Sequence, residues 1–203
     1  MARRRRPDLL VVSAYLAPPD GGIQRLAVEI ADAFPDRDVR LLGVSSRPST
    51  DSRVVIVPQR TGRLGSVITL LRFTVAVWRE LLRRPRIVHA MTWRAAVPLL
   101  AYRGATVLYC HGAELVRAFN GRPEIALRRL VLRRMTGIVS NSRFTEGLVK
   151  DVGDRSSTVI NPTLPFVPEQ NTHHRVPDQD LRILGVARLS PDKGFDRLIR
   201  TTS

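Results

Sequence analysis

The sequence predicts an α/β domain with a doubly wound parallel sheet, in which helices cover both faces. Short apolar runs rich in β-branched residues alternate with longer segments whose apolar residues recur at helical spacing. The runs lack regular polar alternation, so we expect strands that are buried on both faces. About seven such strands alternating with helices predict one Rossmann-like domain over residues 1–162.

Three strands and two helices are expected in the first half of this domain. A strand at residues 9–14 leads through a loop containing Gly21 and Gly22 to a helix at 23–34. The helix is indicated by apolar residues that share one face. The remaining expected elements are strands at 39–44 and 54–57 and a long helix at 66–82.

The second half continues the alternation. Pro123 is expected to be the first residue of a helix that runs to about residue 135, because the first helical position needs no N–H. The other expected elements are strands at 87–91, 106–110, 137–140 and 158–160 and helices at 94–102 and 145–149.

The composition changes after Asn161. A polar, proline-punctuated stretch at residues 163–180 indicates an interdomain linker. A new strand at 181–189 and a helix beginning at 194–199 follow, which makes 181–203 the expected start of a second domain. One strand and part of a helix cannot bury their apolar faces alone, so we expect this end to be truncated.

The chain is strongly basic. It has 33 Lys and Arg against 18 Asp and Glu, a formal net charge of +15. A positive surface attracts phosphates in nucleic acid, nucleotide sugars or anionic lipid headgroups. A genomic preference for Arg codons accounts for the excess equally well, so the charge by itself selects no partner.

Cys110 is the single cysteine, which excludes an intrachain disulfide and a Cys-rich zinc site. The apolar run after Arg3–Arg6 is too short for a signal peptide. The longest apolar stretch, 67–82, is interrupted by Arg72, Arg79 and Glu80 and is not expected to span a membrane. We therefore expect a cytoplasmic protein.

Two candidate sites follow strands of the sheet, at the edge where ligands bind in open parallel sheets. Gly21 and Gly22 let the backbone approach a ligand closely, and the N–H groups of the next helix are suited to a phosphate. The full G-x-G-x-x-G pattern is absent, which disfavours NAD. A plain strand-to-helix turn is the alternative.

The second site is His111-Gly112-Ala113-Glu114, directly after the strand that ends at Cys110. His111 is placed to hydrogen-bond hydroxyl groups, and Glu114 can orient it or act as its acid partner. Alternatively, His111 caps the next helix and Glu114 lies in its first turn.

A third site lies in the expected second domain. Arg188 ends a strand, and Lys193 and Gly194 begin the following helix. Two cations above a helix N-terminus suit a diphosphate. A pair of solvated surface charges is the alternative.

Other side chains are assigned structural roles. His89 is expected to be a core histidine, and Trp78 and Trp93 to be packing residues. The helix at 125–135 carries Arg129 and Arg133 on what is expected to be a solvated face, with lipid contact as the alternative. His173 and His174 have no partners at metal-ligand spacing, so no metal is assigned.

The ordered set of motifs resembles glycosyltransferase family 4, a group of retaining enzymes of the GT-B fold. The resemblance rests on Gly21-Gly22-Ile23-Gln24-Arg25, Ile87-Val88-His89-Ala90, His111-Gly112-Ala113-Glu114, Ser140-Asn141-Ser142, Ile160-Asn161-Pro162, Ala187-Arg188-Leu189 and Lys193-Gly194. It implies two Rossmann-like domains, of which this chain holds the first, acceptor-side domain and the start of the second.

The resemblance also implies roles for individual residues. Gly21 and Gly22 would lie near the donor phosphates or the reacting centre, and His111 would hydrogen-bond the donor sugar. Arg188 and Lys193 would neutralise the leaving nucleoside diphosphate in place of a metal. Asn161 would lie where the chain crosses between the domains.

The function expected from this resemblance is transfer of a hexose from a nucleotide diphosphate sugar to a sugar or lipid-linked acceptor, with retention and without a cofactor. Peripheral contact with an anionic membrane fits the charge. The family's paired glutamates are absent from this chain, so a non-catalytic domain that binds an acceptor or a partner is one alternative. A basic nucleic-acid-binding protein is another, but no aromatic platform or known binding motif accompanies the arginines.

Overall fold

The computed structural model describes residues 6–17, 21–116, 121–162 and 194–202. The chain divides into two compact units, Met1–Thr163 and Leu164–Ser203. The predicted boundaries at 162 and 180 remain predictions.

The described residues of the first unit form one sheet, and every strand pair in it is parallel. Its strands are β1 Leu9–Ala17, β2 Val39–Ser45, β3 Val54–Pro58, β4 Ile87–Ala90, β5 Ala105–Cys110, β6 Gly137–Ser140 and β7 Thr158–Val159. They lie in the order β3-β2-β1-β4-β5-β6-β7. The direction in which successive strands are added therefore reverses at β1, and the switch point lies between β1 and β4.

Helices connect the strands. They are α1 Gly22–Asp32, α2 Gly62–Leu81, α3 Trp93–Ala96, α4 Ala113–Val116, α5 Gly121–Arg134 and α6 Arg143–Gly153, with a 3-10 turn at Val97–Leu99. In the second unit the described residues form α7 Phe195–Thr202.

Both faces of the sheet are buried at β1. Leu10 and Val12 belong to a large core cluster that includes residues of α2, α3, α5 and α6. Leu9 and Val11 point the other way and pack with α1. Alternate residues of one strand thus enter two cores, which confirms the predicted α/β, Rossmann-like parallel sheet and explains why Leu9–Val12 is apolar throughout.

The predicted helix at 94–102 is wrong in its second half. Thr92 caps α3 by accepting from the Ala95 N–H at 3.2 Å, but the α-helix ends at Ala96 and a 3-10 turn follows. Pro98 has no N–H to donate to the Arg94 carbonyl, so the α-helical pattern cannot continue.

Two other helices differ at their ends. α5 begins at Gly121, so Pro123 is its third residue rather than its first, still within the turn whose N–H groups need no helical partner. α6 exceeds the predicted 145–149 at both ends. Ser142 caps it by accepting from the Thr145 N–H at 3.2 Å, and Asp154 ends it in the left-handed conformation.

The two tryptophans differ from each other. Trp93 is 5% exposed, which supports its prediction as a packing residue, whereas Trp78 on α2 is 40% exposed and only partly packed. Apolar residues occur on two opposite faces of α2, and helical spacing alone does not say which face the sheet covers. No helix in the described part of the chain is long and apolar enough to cross a membrane.

Candidate functional site

The candidate site lies at the carboxyl edge of the sheet, around the switch point between β1 and β4. This is where doubly wound sheets open a crevice, because the loops on either side of the switch point turn in opposite directions. Gly21 precedes α1 and Gly22 begins it, while Met91 follows β4 and His111 follows β5. The topology therefore brings both predicted loops of the first domain to one edge.

The glycine loop presents a helix N-terminus without a side-chain cap. Gly21 is the N-cap of α1, in an extended conformation, and its carbonyl accepts from the Arg25 N–H at 3.1 Å. A Cβ on Gly21 would meet the side chain of Gln24, whereas a Cβ on Gly22 would have no neighbour within 4 Å. Gly22 thus borders open space at the positive end of the α1 dipole.

The ring of His111 is held by one hydrogen bond. Its Nε2 lies 3.0 Å from the carbonyl oxygen of Met91. A carbonyl only accepts, so Nε2 carries the hydrogen and donates. Burial lowers the pKa of His111 below its ordinary value, and the Met91 carbonyl opposes this only in part. The ring is therefore neutral at pH 7, with Nδ1 as an acceptor that has no hydrogen-bond partner among the described residues.

Glu114 contacts the backbone and not the His111 ring. Its carboxylate accepts from the His111 N–H at 3.4 Å and also bonds the backbone of Trp93. Burial raises the pKa of Glu114 to about 7, against the opposing effect of these N–H groups and of Arg128 and Arg94. Together with the His111–Met91 bond, Glu114 ties the loop after β5 to the loop after β4.

Asn141, the first residue after β6, supports the same loop from the other side. Its N–H donates to the Cys110 carbonyl at 3.2 Å, and its side-chain amide lies 3.5 Å from the His111 carbonyl. Thr145 Oγ1 donates to Asn141 Oδ1 at 2.7 Å. Gly112 has φ of +85°, and a Cβ there would lie 2.9 Å from Thr145 Oγ1. Only glycine satisfies both constraints.

Sequence reasoning missed a buried arginine beneath this loop. Arg128 is 2% exposed and donates to Glu124 at 2.7 Å and to the Leu115 carbonyl at 3.4 Å. Its guanidinium lies 4.9 Å from the centre of the Trp93 ring, and that of Arg94 lies 5.3 Å from it. The Glu124–Arg128 spacing of four residues was the available signal. Because Arg129 and Arg133 lie on the same helix, this spacing could not be distinguished in the sequence from that of a solvent-exposed ion pair.

A cavity opens at the same edge, on the α2 side of the sheet. It has a volume of about 200 Å³ and is open to solvent. Its polar lining includes Tyr15 at the end of β1, Arg60 after β3 and Arg94 on α3, and its apolar lining includes Leu70 and Phe73 of α2. Its size and mixed lining suit part of a small polar ligand.

The remaining predicted residues are not brought to this edge by any described contact. Arg188 and Lys193 lie outside the described residues, and Gly194 precedes α7 with φ of +69°. Asn161 is exposed after β7. Among the described residues, no group of three His, Cys, Asp or Glu side chains is arranged to hold a metal ion.

His89 lies within β4, before the loop that begins at Met91. It is partly buried, its Nδ1 is 3.4 Å from the Tyr109 hydroxyl, and burial lowers its pKa to about 4. This supports the prediction of a packed histidine.

The motifs and the sheet match a known family. The model of Glycosyltransferase Family 4 matches residues 20–163. The chain belongs to this family. The match covers the glycine loop, the His111 loop and Asn161, but ends before Arg188. A comparison with curated protein sequences gives no significant match.

Solved structures share the fold at low sequence identity. HepE from Anabaena in complex with UDP-glucose has a TM-score of 0.55 at 17% identity, over 75% of this chain and 43% of that one. Sucrose-phosphate synthase from Thermosynechococcus elongatus has a TM-score of 0.57 at 12% identity, over 76% and 48%. UDP-GlcNAc 2-epimerase from Methanocaldococcus jannaschii has a TM-score of 0.52 at 12% identity, over 75% and 45%.

These likenesses establish the fold class. The predicted Rossmann-like domain of the GT-B type is confirmed for the first unit. The chain spans less than half the length of these solved proteins.

Proposed function

We propose that the protein is a glycosyltransferase that moves a hexose from a nucleotide diphosphate sugar to an acceptor with retention of configuration. The observation that carries the proposal is the His111 loop, fixed by Met91, Glu114 and Asn141 at the switch point of a Family 4 chain. A neutral histidine with a free acceptor nitrogen, in a rigid loop, suits recognition of a sugar hydroxyl.

In this proposal His111 touches the donor sugar and Glu114 is a positioning residue. The His111 Nδ1 accepts a hydrogen bond from a hydroxyl of the sugar, because Nε2 is already committed to Met91. Glu114 holds the loop by its bonds to backbone N–H groups on both sides. Its pKa near neutrality also allows it to hold a proton at physiological pH.

Each predicted domain offers positive groups that suit a diphosphate. The uncapped N-terminus of α1 at Gly21 and Gly22 offers N–H donors to a phosphate. For the second predicted domain we propose that Arg188, Lys193 and Gly194 bind a diphosphate, a role that would make a metal or a cofactor unnecessary. HepE is a fold neighbour that binds UDP-glucose, which supports a nucleotide sugar as the donor.

We assign the cavity at Tyr15, Arg60 and Arg94 to the acceptor, a sugar or a lipid-linked sugar. It opens at the same edge as the His111 loop, so acceptor and donor can meet there. We place the protein in the cytoplasm, which suits its single buried free thiol, with peripheral contact to an anionic membrane, which suits its net charge of +15.

The test measures transfer and its stereochemistry. The protein is incubated with a panel of UDP-, ADP- and GDP-sugars and simple glycoside acceptors, and products are analysed by mass spectrometry and proton NMR of the anomeric centre. We expect a product that keeps the donor's anomeric configuration. An inverted product contradicts retention, and an epimerised donor sugar contradicts transfer, since one fold neighbour is an epimerase.

Variants assign the roles. His111→Ala is expected to lower turnover by at least about tenfold, the effect of one lost hydrogen bond in the transition state. His89→Gln, on the neighbouring strand, is the matched control and is expected to keep turnover. Arg188→Ala with Lys193→Ala is expected to weaken donor binding. Undiminished donor affinity and turnover would contradict the assignment of Arg188 and Lys193 to the diphosphate. Donor binding without any transfer would favour a non-catalytic domain.

A further inference from the structure

Helix α2 has two apolar faces. Its inner face packs on the sheet through Phe73, Val77 and Leu81. Its outer face carries a second row of apolar side chains, each between 40% and 78% exposed. We call this row the outer stripe, and it consists of Leu64, Val67, Leu71, Val75, Trp78 and Leu82.

The spacing of the outer stripe makes it continuous. Its members follow one another at intervals of three or four residues, so on a helix of 3.6 residues per turn they fall within about 100° of one another. They lie opposite the inner face. The helix has 20 residues, and the stripe therefore runs for about 30 Å along the surface. Single exposed apolar residues need no explanation, but a row of this length indicates a binding surface.

The charges around the outer stripe have one sign. Arg72 and Arg79 border one side of it and Arg63 borders the other, and all three are exposed. The one acid in α2, Glu80, is buried and paired with Arg40 at 3.0 Å and with Arg83 at 3.4 Å. No exposed carboxylate therefore interrupts the basic border of this helix.

We propose that the outer stripe of α2 is a docking surface for an anionic membrane. Apolar side chains on such a helix enter the boundary between headgroups and acyl chains, while bordering arginines contact lipid phosphates. Trp78 lies within the stripe, and tryptophan is suited to this boundary because its ring is apolar and its N–H is polar. This inference rests on the peripheral membrane contact proposed above and assigns it to α2, and its tests do not depend on the transfer reaction.

A second copy of the chain fits the outer stripe less well. Pairing two such faces would bring their arginines together, and α2 offers no exposed acid to neutralise them. A bilayer containing anionic lipid supplies apolar area and negative charge at once. The charge complementarity thus selects the membrane.

The first test is co-sedimentation of the chain with vesicles. We expect binding to an equimolar mixture of phosphatidylcholine and phosphatidylglycerol, and little binding to phosphatidylcholine alone. The double variant Leu71→Gln with Val75→Gln is expected to lower the vesicle affinity by about tenfold or more, because two buried apolar contacts are lost. Arg72→Ser with Arg79→Ser is expected to lower it only on the anionic vesicles.

Leu130→Gln is the matched control. Leu130 is 52% exposed on α5, a helix that also carries exposed arginines, and its replacement is expected to leave vesicle binding unchanged. Loss of binding in this variant, with binding kept in the Leu71 and Val75 variant, would overturn the assignment in favour of α5.

The second test uses the native fluorescence and needs no destabilising change. The chain has two tryptophans, and Trp93 is already shielded from solvent. A blue shift on vesicle addition and quenching by brominated lipid are therefore expected to come from Trp78 and to be lost in Trp78→Phe. An unchanged spectrum in the wild type, or a shift that persists in Trp78→Phe, would overturn the proposal.

Light scattering tests whether a second copy of the chain binds the outer stripe. We expect a monomer without vesicles. A dimer that the Leu71 and Val75 variant converts to a monomer would assign the stripe to a second copy and overturn the proposal. Circular dichroism checks that each variant keeps its helices.

Discussion

The two loops that meet at the carboxyl edge are built in opposite ways. The loop after β5 is fixed on three sides, with His111 bonded to Met91, its N–H to Glu114 and its carbonyl to Asn141. At the start of α1, Gly22 borders empty space and no side chain caps the helix.

The difference indicates that one loop of the site serves mainly stability and the other mainly binding. The backbone groups of the β5 loop at His111 are already used within the protein and only the Nδ1 of His111 is left for a ligand, so changes to the loop backbone are expected to act on folding first. The N–H groups that begin α1 are left for a ligand, so changes there are expected to act on binding first. Three substitutions test this division.

The largest effect is expected at Gly112. Gly112→Ala places a Cβ at positive φ and 2.9 Å from Thr145 Oγ1, which is bonded to Asn141 and is not free to move. We expect a loss of at least about 2 kcal/mol in the free energy of unfolding, measured by urea denaturation.

Gly147→Ala on α6 is the control for Gly112→Ala, because its Cβ would have no neighbour within 4 Å. It is expected to leave the stability unchanged or to raise it slightly. Equal stability of the two variants would show that the β5 loop is not rigid.

A pH-dependent effect is expected at Glu114. Burial raises the folded pKa from 4.5 to about 7, so between these values the folded state holds a proton that the unfolded state has released. The wild type therefore loses stability from this group as the pH rises through that window. Glu114→Gln removes this loss.

The measurement is the difference in unfolding free energy between Glu114→Gln and the wild type, at pH 4.5 and at pH 7. This difference isolates Glu114 from the histidines, whose lowered pKa values act in the opposite direction. It is expected to move in favour of the variant as the pH rises. A difference that does not change with pH would mean that Glu114 is not held in a buried site.

The smallest effect on stability is expected at Gly22. Gly22→Ala is expected to leave the melting temperature unchanged or to raise the stability by up to about 1 kcal/mol, because the space is open and alanine favours the helix. Its affinity for a nucleotide diphosphate sugar, measured by calorimetry, is expected to fall. Lower stability with unchanged affinity would contradict the expectation that the start of α1 serves binding rather than stability.

The sequence predicted the layers of this fold better than the ends of its elements. Apolar continuity in β1 and β2 and helical spacing in α1 are local signals, and the parallel sheet follows from them. The end of α3 depends on a single proline, and the length of α6 on caps at Ser142 and Asp154. The exposure of Trp78 could not be predicted from the sequence, since both faces of α2 are apolar.

The candidate site was predicted by its residues but not by its contacts. His111 and Glu114 were selected as a possible pair, and the structure instead bonds each of them to the backbone of the neighbouring loop. Asn141 and Arg128 hold that loop from β6 and α5, elements that are distant in sequence. Such long-range partners leave no periodic pattern in a single sequence.

The position of β1 has a consequence for synthesis. β1 is synthesised before both of its partners, β2 and β4, the second of which begins only at Ile87. At translation rates of about 5–20 residues per second, several seconds pass before β4 emerges. During that time the backbone N–H and C=O groups of β1 that β4 will pair with stay open to other chains, so we expect the nascent chain to be prone to wrong strand pairing until β4 is made.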